Sequence, residues 1–214
     1  MSADQERPRR LTRAENKART RELLLDAAAE VFARKGFGGA SVDDIAEAAG
    51  FTTGALYSNF GGKDALFIEL LASRSGYRLN EAAAIVSNQD SSLADARDTL
   101  SQFLVEVADK DVDLAALQAE FWLYAIRRPE LLEHLATQFR TNRDALTGVL
   151  AERAKNLGQP ENVPFENMAT VVLALFQGLV QLRRTDPDLV PAELYGTAIS
   201  WMFTGLNKIA REQN

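Results

Sequence analysis

Residues 41–63 read SVDDIAEAAGFTTGALYSNFGGK, two short helical patterns joined by a glycine turn. Ser41 is placed to cap a helix whose apolar residues Val42, Ile45, Ala46 and Ala49 recur at i, i+3, i+4 and i+7. Asp44, three positions after Ser41, makes an acidic variant of a capping box. Gly50 supplies the positive-φ position that ends this helix. Thr52 is placed to cap a second helix that turns Leu56 and Phe60 inward and leaves Thr53, Gly54, Tyr57 and Ser58 on the opposite face. Two helices meeting at a wide angle through a tight turn form a helix-turn-helix, whose second helix enters the DNA major groove.

The flanks extend the pattern. Upstream, Leu24, Ala27, Ala28, Val31 and Phe32 form one apolar stripe, and Gly36 ends that helix. Downstream, Lys63 and Asp64 open a helix with Leu66, Phe67, Leu70 and Leu71 on one face. The order Ala28, Phe32, Gly36, Phe37, then Ser41, Val42, Ile45, Ala46, Ala49, Gly50, then Leu56, Tyr57, Phe60, Lys63, Leu66 closely resembles the DNA-binding domain of the TetR (tetracycline-repressor-like) family over roughly residues 17–70. The resemblance implies a homodimeric regulator, most simply a repressor released from a palindromic double-stranded operator by a small organic effector. It also implies that Tyr57 and Lys63 anchor the DNA backbone. Alternatives are a helix-turn-helix regulator that senses a protein partner and, from a different class, an all-helical enzyme.

The predicted fold is all-α: a three-helix helix-turn-helix domain followed by a larger helical bundle, about nine helices in all. The patterns place them near 16–35, 42–49, 53–60, 63–87, 92–109, 112–128, 130–156, 165–184 and 191–211. Asp90-Ser91-Ser92 is a turn and cap signal, and Gly158–Asn162 is the clearest loop. The expected domains are a basic flexible arm at 1–15, a helix-turn-helix domain at 16–66, and an effector-binding and dimerisation domain at 67–214.

The formal charge of −6 is unevenly distributed. Residues 1–66 hold 10 Lys/Arg and 10 Asp/Glu, leaving 14 and 20 for residues 67–214. Seven basic residues and one acidic residue fall within 7–21, a cationic stretch suited to phosphates. The chain has no cysteine, which excludes disulfides and thiolate metal sites. Its start is charged and lacks an apolar h-region, and no apolar stretch reaches the roughly 20 residues of a bilayer span. The expectation is a soluble, cytoplasmic protein with no membrane association and no cofactor.

Candidate DNA contacts are Ser41, Thr52, Thr53, Gly54, Ala55, Tyr57, Ser58, Asn59 and Lys63. Short hydroxyls reach base edges or phosphates, Gly54 and Ala55 permit close approach, and Lys63 lies at a helix start that favours anions. In the second domain, Phe103, Phe121, Trp122, Phe139 and Phe176, with Gln118 and Gln177, are candidate ligand contacts, since pockets between bundled helices are apolar with a few orienting polar groups. Glu120 would suit a cationic guest.

Residues 165–184 carry two apolar stripes, one of Met168, Val172, Leu175, Leu179 and Leu182, the other of Ala169, Leu173, Phe176 and Val180. Residues 191–211 do likewise, with Tyr195, Ile199, Met202, Leu206 and Ile209 beside Leu194, Ala198 and Trp201. Helices this apolar need partners on more than one side. Leu175, Leu179, Leu182, Ile199, Met202 and Leu206 are therefore the expected dimer interface, which the resemblance places on the last two long helices.

Other patterns carry less. Asp109, Asp111, Asp113 and Glu120 mimic a calcium loop, but Leu114 stands where the glycine belongs. His134 is the only histidine, and it forms no catalytic set.

Overall fold

The computed structural model describes residues 12–88, 90, 92–110, 112–158 and 163–212; side chains are described except at 112–115 and 206–212. Among the described residues there are nine α-helices and no strand: α1 (Arg13–Gly39), α2 (Val42–Ala48), α3 (Thr53–Phe60), α4 (Lys63–Ser87), α5 (Leu93–Lys110), α6 (Val112–Ala125), α7 (Pro129–Asn156), α8 (Phe165–Thr185) and α9 (Leu194–Glu212). A single 3-10 turn, Pro187–Leu189, precedes α9. The chain divides into two compact units, Met1–Leu70 and Leu71–Asn214, and the division falls inside α4.

α1 starts earlier than its apolar pattern indicates. Thr12 accepts from the Glu15 amide while the Glu15 carboxylate accepts from the Thr12 amide, a reciprocal cap that makes Arg13–Glu15 helical rather than part of an arm. Residues 1–11 of the expected arm lie outside the described residues. At the other end Gly36 (φ 70°, ψ 168°) kinks α1, a conformation disfavoured for any residue with a Cβ.

The first unit closes around Leu24, Val31 and Phe32 of α1, Ile45 of α2, Leu56 of α3, and Leu66 and Phe67 of α4, all fully buried. The Phe67 ring lies 4.8 Å from both Phe32 and Phe37, edge-on in each case. This small aromatic core holds α2 and α3 against the longer helices.

In the second unit α8 packs against α5, α7 and α9. Its core includes Leu100, Leu104 and Val107 of α5, Leu146 and Leu150 of α7, and Met168, Val172, Leu179 and Val180 of α8. Two expectations change here. Leu179 is 8% exposed and belongs to this core, so it does not present a free interface. α8 is also, by length and composition, long and apolar enough to cross a membrane, contrary to the sequence reading. Met168, Ala169, Val172, Leu179 and Val180 place part of that apolar content in the protomer's own core.

Asp109 accepts from both Nε and Nη2 of Arg183, each at 3.1 Å. It therefore ties the end of α5 to α8 and does not form part of a calcium loop. Asp111 and the Asp113 side chain lie outside the described residues.

Candidate nucleic-acid interface and ligand cavity

Local hydrogen bonds build the turn between α2 and α3. Ser41 accepts from the Asp44 amide and the Asp44 carboxylate accepts from the Ser41 amide, both at 3.0 Å. Gly50, at φ 71°, ends α2, and the Phe51 amide closes the turn on the Ala46 carbonyl at 2.9 Å. Thr52 accepts from the Ala55 amide at 3.2 Å, which starts α3 at Thr53. Ser41 and Thr52 thus use their hydroxyl oxygens as caps of α2 and α3, which places Thr52 at the start of α3.

The Lys35 ammonium lies 2.8 Å from Asp44. That contact first, and the Ser41 amide second, hold the Asp44 carboxyl at about 2, below its ordinary 3.8. A depressed carboxylate stabilises the fold above its unfolded pKa, and that contribution is lost as pH falls through the folded value. Stability of the first unit should therefore decline between about pH 4 and about pH 2, and Asp44→Asn should remove that part of the acid limb. Urea titrations at several acid pH values measure it, and an unchanged acid limb in the variant would refute the assignment.

On α3, Leu56 and Phe60 are buried, Thr53, Ala55 and Asn59 are partly covered, and Gly54, Tyr57 and Ser58 are exposed. Tyr57 is 55% exposed, so its ring is not a core group. The Ser58 hydroxyl donates to the Ala55 carbonyl at 2.9 Å and keeps its lone pairs for an outside donor.

Two expected contacts are placed differently. The Asn59 amide donates back to the Ala55 carbonyl at 2.8 Å, and its buried Oδ1 has no partner, so the side chain folds along its own helix instead of outward. The Lys63 ammonium donates to the Phe37 and Ala40 carbonyls, each at 2.9 Å, and lies 4.6 Å from the Phe37 ring centre. Lys63 therefore fastens the end of α1 to the start of α4, with one ammonium proton left over.

Arg21, counted with the cationic stretch, is also drawn inward. It donates to the Asn59 carbonyl and the Glu69 carboxylate, and its guanidinium lies 4.3 Å from the Phe60 ring centre. Arg13 and Lys17 behave differently: with Asn16, Thr20, Ser58 and Asn59 they line a cleft of about 420 Å³ between α1 and the end of α3. That cleft sets two cations beside the exposed face of α3, the geometry a phosphate strand needs.

A second concavity lies wholly within the Leu71–Asn214 unit, a cavity of about 1180 Å³ walled by α4 through α9. It brings together six of the expected ligand contacts, Phe103, Gln118, Trp122, Phe139, Phe176 and Gln177. Phe103 and Phe176 stack with ring centres 5.7 Å apart, and Tyr195 meets Phe176 edge-on at 5.5 Å. Burial pushes the Tyr195 phenol well above its ordinary pKa, so it stays protonated. Phe121 is the exception: it is fully buried against Tyr124 and does not reach the cavity. Glu120 does not line it either. Sequence reading missed the wall's arginines, because a charged residue on an amphipathic helix reads by default as solvated.

Comparison with known proteins follows these divisions. The family described as "Bacterial regulatory proteins, tetR family" matches residues 24–70. The one described as "Tetracyclin repressor-like, C-terminal domain" matches residues 91–205, more than half of the chain. The chain belongs to the TetR family. It is an all-α, DNA-binding helix-turn-helix transcriptional regulator.

Among its TetR-type relatives, the regulator YfiR of Bacillus subtilis is 27% identical over 78% of this chain and 81% of its own length. The repressor NicS of Pseudomonas putida is 30% identical over 68% of this chain but 58% of its own length. Some relatives are thus matched over less than two thirds of their length. Among solved structures, GusR of Salmonella enterica superposes with a TM-score of 0.65 at 25% identity, covering 94% of this chain and 100% of that one. SmeT of Stenotrophomonas maltophilia gives 0.61 at 23% identity, with 89% and 92% covered.

Proposed function

We propose that the protein is a homodimeric repressor that leaves a palindromic operator when a small organic molecule fills the cavity of its second unit. The cavity carries this reading: about 1180 Å³ of largely apolar space within one unit is more than a packed core leaves empty. NicS is a repressor, and SmeT is the repressor of a multidrug efflux pump. In this reading Gly54, Tyr57 and Ser58 face the groove, Arg13 and Lys17 hold phosphates, and the protein works in the cytoplasm. The ligand acts by shifting a two-state equilibrium, so its effect on operator affinity equals its preference for the non-binding state.

Dimerisation is supported by α8. Only 28% of its most apolar window is buried within the protomer. Val171, Ala174, Gly178 and Leu182 form an exposed stripe along α8, and Trp201 of α9 is 66% exposed. Leu175, Ile199 and Met202 of the expected interface are partly covered by the protomer's own core. The Leu206 side chain lies outside the described residues. A twofold axis through such a face would present two reading helices to two half-sites.

The test starts from duplexes selected by the purified protein from a random pool. Operator affinity should fall steeply with salt. Tyr57→Phe should weaken it by about 1–3 kcal/mol while leaving thermal stability unchanged. Lys63→Ala should behave differently, lowering thermal stability because two buried-side carbonyls lose their donor. A compound that raises the melting temperature through the cavity should also release the operator. Occupation of the cavity with unchanged operator affinity would overturn the sensor assignment.

A further inference from the structure

A buried hydroxyl stands in the cavity wall without a partner. Tyr195, near the start of α9, lines the cavity and is 4% exposed. Its hydroxyl makes no hydrogen bond with any described residue, and burial alone raises its pKa, so it keeps its proton. The polar groups around it are matched: the Ser101 hydroxyl accepts from the Gly196 amide at 2.9 Å and donates to the Glu193 carbonyl at 3.4 Å. A buried donor left unmade costs free energy, which a guest carrying an acceptor would recover.

The charged groups of the wall are already engaged within the protein. Arg97 pairs with Asp98 at 2.8 Å, Arg153 donates to the Asn88 carbonyl at 3.1 Å, and Arg184 donates to the Ala108 and Val107 carbonyls at 2.8 and 2.9 Å. Arg78 has a partner as well. No aspartate, glutamate or histidine lines the cavity among the described residues. An ionic guest of either sign would therefore give up its hydration without gaining a free counter-charge, and a charge so buried is far costlier than a neutral polar group.

The surface beside Tyr195 is aromatic. Its ring meets Phe176 of α8 edge-on at 5.5 Å, and Phe176 stacks on Phe103 of α5 at 5.7 Å. Trp122 and Phe139 also line the cavity and are about half exposed. Ring-to-ring contact favours an aromatic guest beyond the area it covers. Building on the sensor reading above, we propose that the cavity binds an uncharged aromatic molecule whose hydrogen-bond acceptor is met by the Tyr195 hydroxyl. The volume of about 1180 Å³ admits a fused-ring body with room to spare.

The experiment uses four fluorescent probes on the full-length protein at neutral pH: 1-acetylpyrene, 1-ethylpyrene, 1-pyrenecarboxylate and 1-pyrenemethylammonium. They share one ring system and carry an acceptor, no polar group, a negative charge and a positive charge. Both ionic probes should bind about tenfold or more weakly than 1-acetylpyrene. Tyr195→Phe removes only the hydroxyl. The ratio of acetyl to ethyl affinity should fall about three- to tenfold in that variant, a comparison that cancels the difference in hydrophobicity between the two probes. The carbonyl stretch of bound 1-acetylpyrene should lie at lower frequency in the wild type than in the variant, since only the wild type donates to it. Each probe is then read for release of the operator.

An unchanged affinity ratio with an unchanged carbonyl frequency overturns the role of Tyr195. An ionic probe that binds as tightly as 1-acetylpyrene, or failure of all four to bind, overturns the ligand class; operator release by an ionic probe then leaves the sensor reading standing. Binding of 1-acetylpyrene through Tyr195 with no effect on the operator has the opposite meaning, supporting the ligand class and overturning the sensor. If Tyr195→Phe does not fold, the wild-type series and the carbonyl frequency against the free probe in cyclohexane decide the proposal.

Discussion

Gly196→Ala is expected to destabilise the second unit by about 3 kcal/mol or more, at the upper end of overpacking penalties. A Cβ at this position would stand 2.4 Å from the Arg97 carbonyl oxygen, 2.5 Å from its Cγ and 2.5 Å from the Ser101 hydroxyl. The first of these is backbone inside α5, so relief requires α5 and α9 to separate. The Gly196 amide also donates to the buried Ser101 hydroxyl at 2.9 Å, and that hydrogen bond lengthens with the separation. Calorimetry should show the melting temperature falling by roughly 6–12 °C for a protein of this size. Gly148→Ala is the control: its Cβ meets nothing within 4 Å on α7, so the change should stabilise by up to about 1 kcal/mol. Equal stability of Gly196→Ala and wild type would mean that α5 and α9 do not cross this closely.

The first unit was legible because its determinants are local. Ser41 with Asp44, Thr52 with Ala55, and the positive φ of Gly36 and Gly50 each act within a few residues, where sequence spacing and spatial neighbourhood coincide. The same kind of signal lay at Thr12 and Glu15 and would have started α1 earlier. Side chains that reach across the unit were not legible. Lys63 looks like a phosphate anchor by position, and Arg21 looks like part of a basic stretch. Only the fold shows that their charges are turned onto carbonyls and a carboxylate many residues away.

The second unit was legible in its helices but less so in their faces. α8 is apolar around much of its circumference, and periodicity cannot say which stripe meets the protomer's own core. The stripe assigned to a partner contains Leu179, which is core. Val171, Ala174 and Gly178 were passed over because small or singly placed residues carry little hydrophobic signal. Phe121 fails for a similar reason: an aromatic next to the cavity-lining Trp122 need not face the cavity, because successive helical positions point about 100° apart.

Leu182→Glu and Leu179→Glu should therefore fail in different ways, although the two residues are one turn apart on α8. Leu182 is 49% exposed within the protomer and Leu179 is 8% exposed. A glutamate at 182 remains solvated in the monomer and is desolvated only when a partner helix covers it, so the cost of several kcal/mol falls on association. Light scattering should then show a folded monomer with nearly unchanged helicity. Operator binding should drop because one reading helix no longer positions the other. A glutamate at 179 is buried in the protomer before any partner arrives, so the same penalty falls on folding, with loss of cooperative melting. Trp201→Glu should follow Leu182, since that ring is 66% exposed on α9. A dimer that survives both Leu182→Glu and Trp201→Glu would place the seam on another face. A stable monomer from Leu179→Glu would return that residue to the interface.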